Sequence, residues 1–189
     1  MMIKVDNINN YNDNDYKLFY KKISNDKKNK IKKYNNLKRK QSILGEILLI
    51  SIFNNYGIDY DNLKFNYNKY GKPLIDDYYF NISHSYDYVT CVLTKSEVGI
   101  DIEKIRHVDL KISRMFTNNV LNNLNQFYII YTLKEAYIKC IGESIINIGY
   151  LDIDLSYYKF ITMSDGKYRI SLCIKKGEWI IYFHSSFYF

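Results

Sequence analysis

The hydrophobic pattern first predicts elements between Asn25 and Asn55. From Asn25 to Tyr34 the spacing predicts a short, basic helix carrying Lys27, Lys28, Lys30, Lys32 and Lys33. A second helix is predicted over Leu37 to Asn55. Its apolar positions Ile43, Leu44, Ile47, Leu48 and Phe53 recur every three or four residues, and Gly57 offers a C-terminal stop. The pattern then shortens. Phe80 to Ile82, Tyr88 to Thr94 and Val98 to Glu103 predict strands, with a turn near Lys95 and Ser96. Helical spacing returns from Phe127 to Ile141 and stops at Gly142. Leu151 to Leu155, Tyr168 to Ile174 and Trp179 to Phe183 predict three late strands, separated by turns at Ser164-Asp165-Gly166 and Lys176-Gly177. This order of helices, strands, helix and strands gives an α+β class. No linker rich in Pro, Gly or Ser divides it, so the halves are expected to pack tightly.

The 189 residues suffice for one sizeable core or two small ones, and 47% hydrophobic content predicts a folded chain. Ile43 to Phe53 is the most apolar stretch. It is interrupted by Gly45, Glu46 and Ser51 and is too short for a bilayer. Residues 1–10 hold no run resembling a signal peptide, so a soluble protein is expected. Cys91, Cys140 and Cys173 are odd in number and lack CxxC spacing. This argues against paired disulfides or structural zinc and fits a reducing cytoplasm.

The net charge of +7 is uneven. Residues 1–45 hold 12 Lys/Arg against 4 Asp/Glu, and the remainder 15 against 16. The basic region would attract a polyanion such as nucleic acid, anionic lipid, nucleotide phosphate or an acidic protein. Together with 21 tyrosines it also fits a nucleic-acid-binding module. Against that, no recognised nucleic-acid-binding motif is present, and two carboxylates on one strand face have no use opposite an anion.

Those carboxylates are Asp101 and Glu103 in Val98-Gly99-Ile100-Asp101-Ile102-Glu103. Alternate residues of a strand share a face, so the two acids lie side by side and repel unless a cation or shared proton relieves them. Hard oxygen ligands suit Mg²⁺, which pairs one or two carboxylates with substrate phosphates. The same pair also fits an ordinary strand with a solvated acidic face. In Lys134-Glu135-Ala136-Tyr137-Ile138-Lys139, Glu135 and Lys139 are one helical turn apart. They can join such a site or form a surface ion pair. Asn81-Ile82-Ser83-His84-Ser85 reads as an exposed turn at a strand end, where backbone N–H groups and an imidazole meet an anion, or as the setting of a structural histidine. His107 and His184 read as structural or surface residues. Gly71-Lys72-Pro73 is a turn with a cation in it.

The order and spacing of these four blocks resemble the signature of the surfactin-type 4'-phosphopantetheinyl transferases, over roughly residues 23–155. The resemblance implies two similar α+β subdomains related by a pseudo-twofold, about 1–95 and 96–189, with coenzyme A in the cleft between them. It implies that Asp101, Glu103 and Glu135 hold Mg²⁺ against the pyrophosphate, with Asp101, Glu135 and Lys139 in the catalytic set and Glu135 as base. Lys139, His84 and Ser83 would meet the phosphates, Lys72 and Pro73 the adenine end, and Lys27 and Lys30 the 3'-phosphate. The implied reaction moves the phosphopantetheine arm of coenzyme A to a serine of an acyl or peptidyl carrier protein and expels 3',5'-ADP. A cytoplasmic monomer is implied, with neither nucleic acid nor membrane as partner. Three positions depart from the family pattern: Tyr131 replaces a tryptophan, Ser144 the second glycine of Gly-x-Gly, and Gln41 a basic residue, for which Arg39 or Lys40 are candidate substitutes. A relative that binds without catalysing is the remaining alternative, and the intact Asp101, Glu103, Glu135 and Lys139 weigh against it.

Overall fold

The computed structural model describes residues 1–149, 151–177 and 182–185. Strand β1 (Met2–Asn7) precedes helices α1 (Asp13–Lys22), α2 (Asn25–Ile31) and α3 (Asn36–Asn55). The short strands β2 (Asn66–Tyr67) and β3 (Pro73–Leu74) form a hairpin, followed by β4 (Tyr79–Ser85), β5 (Tyr88–Thr94) and β6 (Val98–Lys104). Helix α4 (Leu124–Ile141) leads to β7 (Tyr158–Ser164), β8 (Tyr168–Lys175) and β9 (Tyr182–Ser185). Two sheets carry the architecture, ordered β4-β5-β1-β9 and β6-β8-β7. A long helix covers a face of each, α3 on the first and α4 on the second, giving the two similar α+β halves that were expected.

Helix α3 forms because its apolar residues repeat at helical spacing behind a cap: Asn35 accepts a hydrogen bond from the backbone N–H of Lys38. Leu44, Leu49, Ile52 and Phe53 are fully buried against Phe80, Val89 and Leu93 of β4 and β5. Burying each such side chain contributes about 1.5–3 kcal/mol. Gly45 permits the approach, since a Cβ there would lie 2.9 Å from Ile82. A second core lies between the sheets, where Ile3, Val5 and Val92 meet Val98, Ile100, Ile102, Ile170 and Leu172.

Four expectations change. Leu151–Leu155 is not a strand: Asp154 accepts from the Ser156 N–H at 2.8 Å and turns the chain toward β7. The run Asn81–Ser85 lies within β4 rather than on a turn. Strand β1, with Ile3 and Val5 alternating into the core, and helix α1, with an Asn12/Asp15 capping box, both lie before Asn25, where no element was expected. Finally, β9 pairs in parallel with β1, so the C-terminal strand joins the N-terminal sheet. Of the expected strand Trp179–Phe183, residues 179–181 lie outside the described residues, as does the side chain of His184. No helix among the described residues is long and apolar enough to cross a membrane.

Candidate active site

Asp101, Glu103 and Glu135 converge. One carboxylate oxygen from each lies within 4.8 Å of the others. Two neighbouring elements bring this about. Strand β6 supplies Asp101 and Glu103 on one face, and α4 lies directly over that face. Its approach depends on Gly99: a Cβ there would sit 2.1 Å from the carbonyl oxygen of Ala136 and 2.4 Å from the nitrogen of Cys140. Behind the acids, the Thr132 hydroxyl of α4 meets that of Ser171 on β8 at 2.7 Å, which fixes the helix to the second sheet.

The other edge of β6 is held by β4 through side chains. Asn81 accepts from the N–H of Ile100 at 2.9 Å, Ser83 from that of Ile102 at 3.4 Å, and Ser85 from that of Lys104 at 3.1 Å. Three consecutive outward N–H groups of β6 are thereby satisfied without a ladder. The same two serines donate to the acids, Ser83 to Asp101 at 2.8 Å and Ser85 to Glu103 at 2.7 Å. Ser83 is 6% exposed, so its position is in the wall behind Asp101 rather than on an open anion-binding turn. Asn81 and Ser85 belong to the site's framework. With Ser83 between them, they recur at every second residue of the strand, which was the available signal.

Lys139 lies among the acids, 2.5 Å from Asp101 Oδ1 and 3.3 Å from Glu135 Oε2. Burial alone would lower its pKa, but Asp101 and Glu135 outweigh burial and raise it, so it is a fixed cation. The carboxyl of Asp101 is raised, first by burial and then by Glu135, against the pull of Lys139. Burial and the charge of Asp101 push Glu103 up to about 7. Asp101 Oδ2 is buried and without a partner among the described residues. A buried, orphaned carboxylate oxygen beside two further carboxylates fits a hard divalent cation, and Asp101, Glu103 and Glu135 are the residues that would hold it.

A cleft of about 510 Å³ lies within the N-terminal half, lined only by residues between Ser24 and Ile82. Lys27, Lys30, Gly71, Pro73, Phe80 and Ile82 line it, together with Glu46, Tyr60, Phe65 and Tyr67. Lys27 reaches Glu46 at 3.3 Å, and Lys30 stands 5.1 Å from the Tyr67 ring centre. His84 follows Ile82 on the same face of β4 and keeps solvent access. Burial of its ring and then the charges of Lys139, Lys38 and Lys27 hold it below the ordinary imidazole range. Lys72 is placed elsewhere. Its ammonium donates to the carbonyls of Lys139, Cys140 and Val98 at 2.6, 2.7 and 3.3 Å, and it does not line the cleft.

Residues 10–96 match the family model described as 4'-phosphopantetheinyl transferase, N-terminal, and residues 97–187 match the 4'-phosphopantetheinyl transferase superfamily. The 4'-phosphopantetheinyl transferase gsp of Aneurinibacillus migulanus is 38% identical over 137 residues, covering 64% of this chain and 56% of that protein. The 4'-phosphopantetheinyl transferase Sfp of Bacillus subtilis is 30% identical over 165 residues, covering 79% of this chain and 71% of that protein. HetI of a Nostoc species, also named a 4'-phosphopantetheinyl transferase, is 30% identical over 62% of this chain and 58% of its own length. This chain belongs to the 4'-phosphopantetheinyl transferase family.

The three departures from the family pattern each have a local outcome. Tyr131 packs in the aromatic cluster, its ring 5.3 Å from Phe116 and near-parallel to Phe127 at 5.9 Å. Burial, and then the charge of Glu135, raise its pKa. The packing expected of the family's tryptophan is kept. Ser144 accepts from the N–H of Ile146 and caps a 3-10 turn, while Gly142 keeps the left-handed helix end at φ 72°. Gln41 is 5% exposed and donates to the carbonyl of Tyr86 at 2.7 Å. Neither expected substitute points into the cleft. Arg39 donates to the Tyr34 carbonyl, and Lys40 pairs with Asp13 at 2.9 Å.

Proposed function

We propose that this phosphopantetheinyl transferase family member moves the 4'-phosphopantetheine arm of coenzyme A to a serine hydroxyl of an acyl or peptidyl carrier protein, in a Mg²⁺-dependent reaction that releases 3',5'-ADP. The observation that carries the reading is the convergence of Asp101, Glu103 and Glu135 around a buried, unpartnered carboxylate oxygen, with Lys139 among them. Transfer of this kind asks little covalent chemistry of the protein and much positioning and charge neutralisation.

In this reading Lys27 and Lys30 take the 3'-phosphate at the mouth of the cleft, and Pro73 with the apolar cleft wall takes the adenine. His84 and Lys139 meet the pyrophosphate. The serine oxygen forms its bond to the phosphorus bearing the pantetheine arm, and the bond from that phosphorus to the bridging pyrophosphate oxygen breaks. Glu135 receives the serine proton. Lys139 is held charged by its two acids and offsets the negative charge gathering on the departing phosphate. Bound Mg²⁺ supplies charge stabilisation at the pyrophosphate. Ser83 and Ser85 keep the Asp101 and Glu103 carboxylates oriented. The protein works as a cytoplasmic monomer, and the +7 charge draws in acidic carriers.

The test incubates an apo acyl carrier and an apo peptidyl carrier, each with the protein, coenzyme A and Mg²⁺, and follows intact mass. A gain equal to the phosphopantetheine arm that disappears with EDTA supports the reading. No gain on either carrier while coenzyme A still binds contradicts the transferase activity.

A further inference from the structure

We infer that Lys72 is a positioning residue: its ammonium clamps helix α4 to strand β6 and so sets the spacing of the Asp101, Glu103 and Glu135 carboxylates. Its three acceptors lie on the two elements that carry the acids. Val98 is the first residue of β6, and Lys139 and Cys140 belong to the last turn of α4. Cations favour the end of a helix where carbonyls are left unpaired, and a buried ammonium can donate three hydrogen bonds. Here all three have an acceptor. The clamp lies close to the Gly99 contact, the point at which the backbones of α4 and β6 touch. One of the clamped carbonyls belongs to Lys139 itself, so the clamp fixes the backbone from which that side chain reaches Asp101.

The loop carrying Lys72 is built to deliver it. The Asn68 carboxamide oxygen accepts from the N–H groups of Tyr70 and Lys72 at 3.0 and 2.9 Å, and Gly71 takes φ 81°. The Asn68 amide nitrogen donates to the carbonyl of Gly142, the residue that ends α4, at 2.8 Å. Asn68 and Lys72 therefore grip the same helix end from one hairpin. The other side of that hairpin, Tyr67, Gly71 and Pro73, lines the cleft.

The activity arm of the test rests on the transferase reading. The metal-binding arm does not. Lys72→Met keeps the length of the side chain and removes the ammonium. Mg²⁺ and Mn²⁺ titrations followed by melting temperature, with and without coenzyme A, are run on the wild type and the variant beside transfer kinetics. The clamp predicts that the variant still melts cooperatively, needs about tenfold more metal for the same shift, and loses kcat about tenfold. KM for coenzyme A moves less than about twofold, because Lys72 does not face the cleft. An unchanged metal requirement overturns the inference. So does a loss confined to KM for coenzyme A, which would make Lys72 a ligand contact. If Lys72→Met does not fold, Asn68→Ala weakens the same grip and is expected to raise the metal requirement about threefold; no change there overturns the inference equally. If the wild type binds metal and transfers nothing, the transferase reading fails while the metal titrations still decide the role of Lys72. A wild type whose melting temperature no divalent metal moves overturns both.

Discussion

The two ends of the site are built on opposite principles. At the cleft end, Lys27 and Lys30 extend from α2, a seven-residue helix, and Lys30 is exposed. At the acid end, Asp101 is 1% and Glu135 9% exposed, and serines and a lysine hold the carboxylates in place. An exposed lysine such as Lys30 loses little hydration before a ligand arrives and can follow a phosphate, whereas Lys27 is held by Glu46. Buried acids hold one geometry and repel each other until a cation enters. In the proposed reaction the difference divides labour: the cleft would supply affinity for the nucleotide, and the acids the chemistry. Substitutions at one end should therefore leave the other end's measurable quantity alone.

The largest effect is expected at Asp101. Asp101→Asn keeps the shape and removes the charge, and transfer should fall by about a thousandfold with the fold intact. Full activity in the purified variant would end the metal assignment. Gly99→Ala comes next. The added Cβ meets the backbone of α4, so the helix must move, at a cost of about 3 kcal/mol in stability, and kcat should fall with it. A denaturant melt and a rate measurement on the same preparation check both. At the other end, Lys27→Ala with Lys30→Ala should raise KM for coenzyme A about tenfold and leave kcat within about twofold. An unchanged KM would move the 3'-phosphate elsewhere.

A pH profile sharpens the contrast further. Without metal, Glu103 in the folded protein keeps its proton up to about 7, whereas in the unfolded chain it ionises in the ordinary glutamate range. In between, the native state binds more protons than the unfolded state, so stability falls as pH rises through that window. Metal-free wild type should lose more melting temperature between about pH 5 and about pH 8 than Glu103→Gln, and Mg²⁺ should close the gap. Parallel metal-free profiles would contradict the burial of charge assigned to Glu103. The smallest effect is expected from Tyr131→Phe, a change in kcat within about twofold, because the ring packing on Phe116 and Phe127 is kept.

Much of this contrast was readable in the chain. Asp101 and Glu103 share a face through strand alternation, and Glu135 and Lys139 share one through the helical turn. The resemblance to a family brought the two pairs together. The buried stripe of α3 was legible because Leu44, Leu48 and Ile52 recur every four residues and are buried. Helix α1 was less so, because Tyr16 is its one buried residue and Leu18, Phe19 and Tyr20 stand among charged and amide residues. Strand β1 was hidden by brevity, with Ile3 and Val5 the inward pair. The hydroxyls of Ser83 and Ser85 suggested an open anion site, yet their partners on β6 are 18 residues further along the chain. The resemblance gave Lys72 a place at the adenine end; the three carbonyls its ammonium meets are tertiary neighbours that no local pattern encodes.

The most direct test runs wild type and Asp101→Asn side by side, measuring coenzyme A binding by calorimetry and carrier loading by intact mass. The account predicts that both proteins bind coenzyme A through the cleft and that only the wild type loads the carrier. Loading by Asp101→Asn at the wild-type rate, or loss of coenzyme A binding as complete as the loss of loading, would contradict the division between an end that binds and an end that transfers.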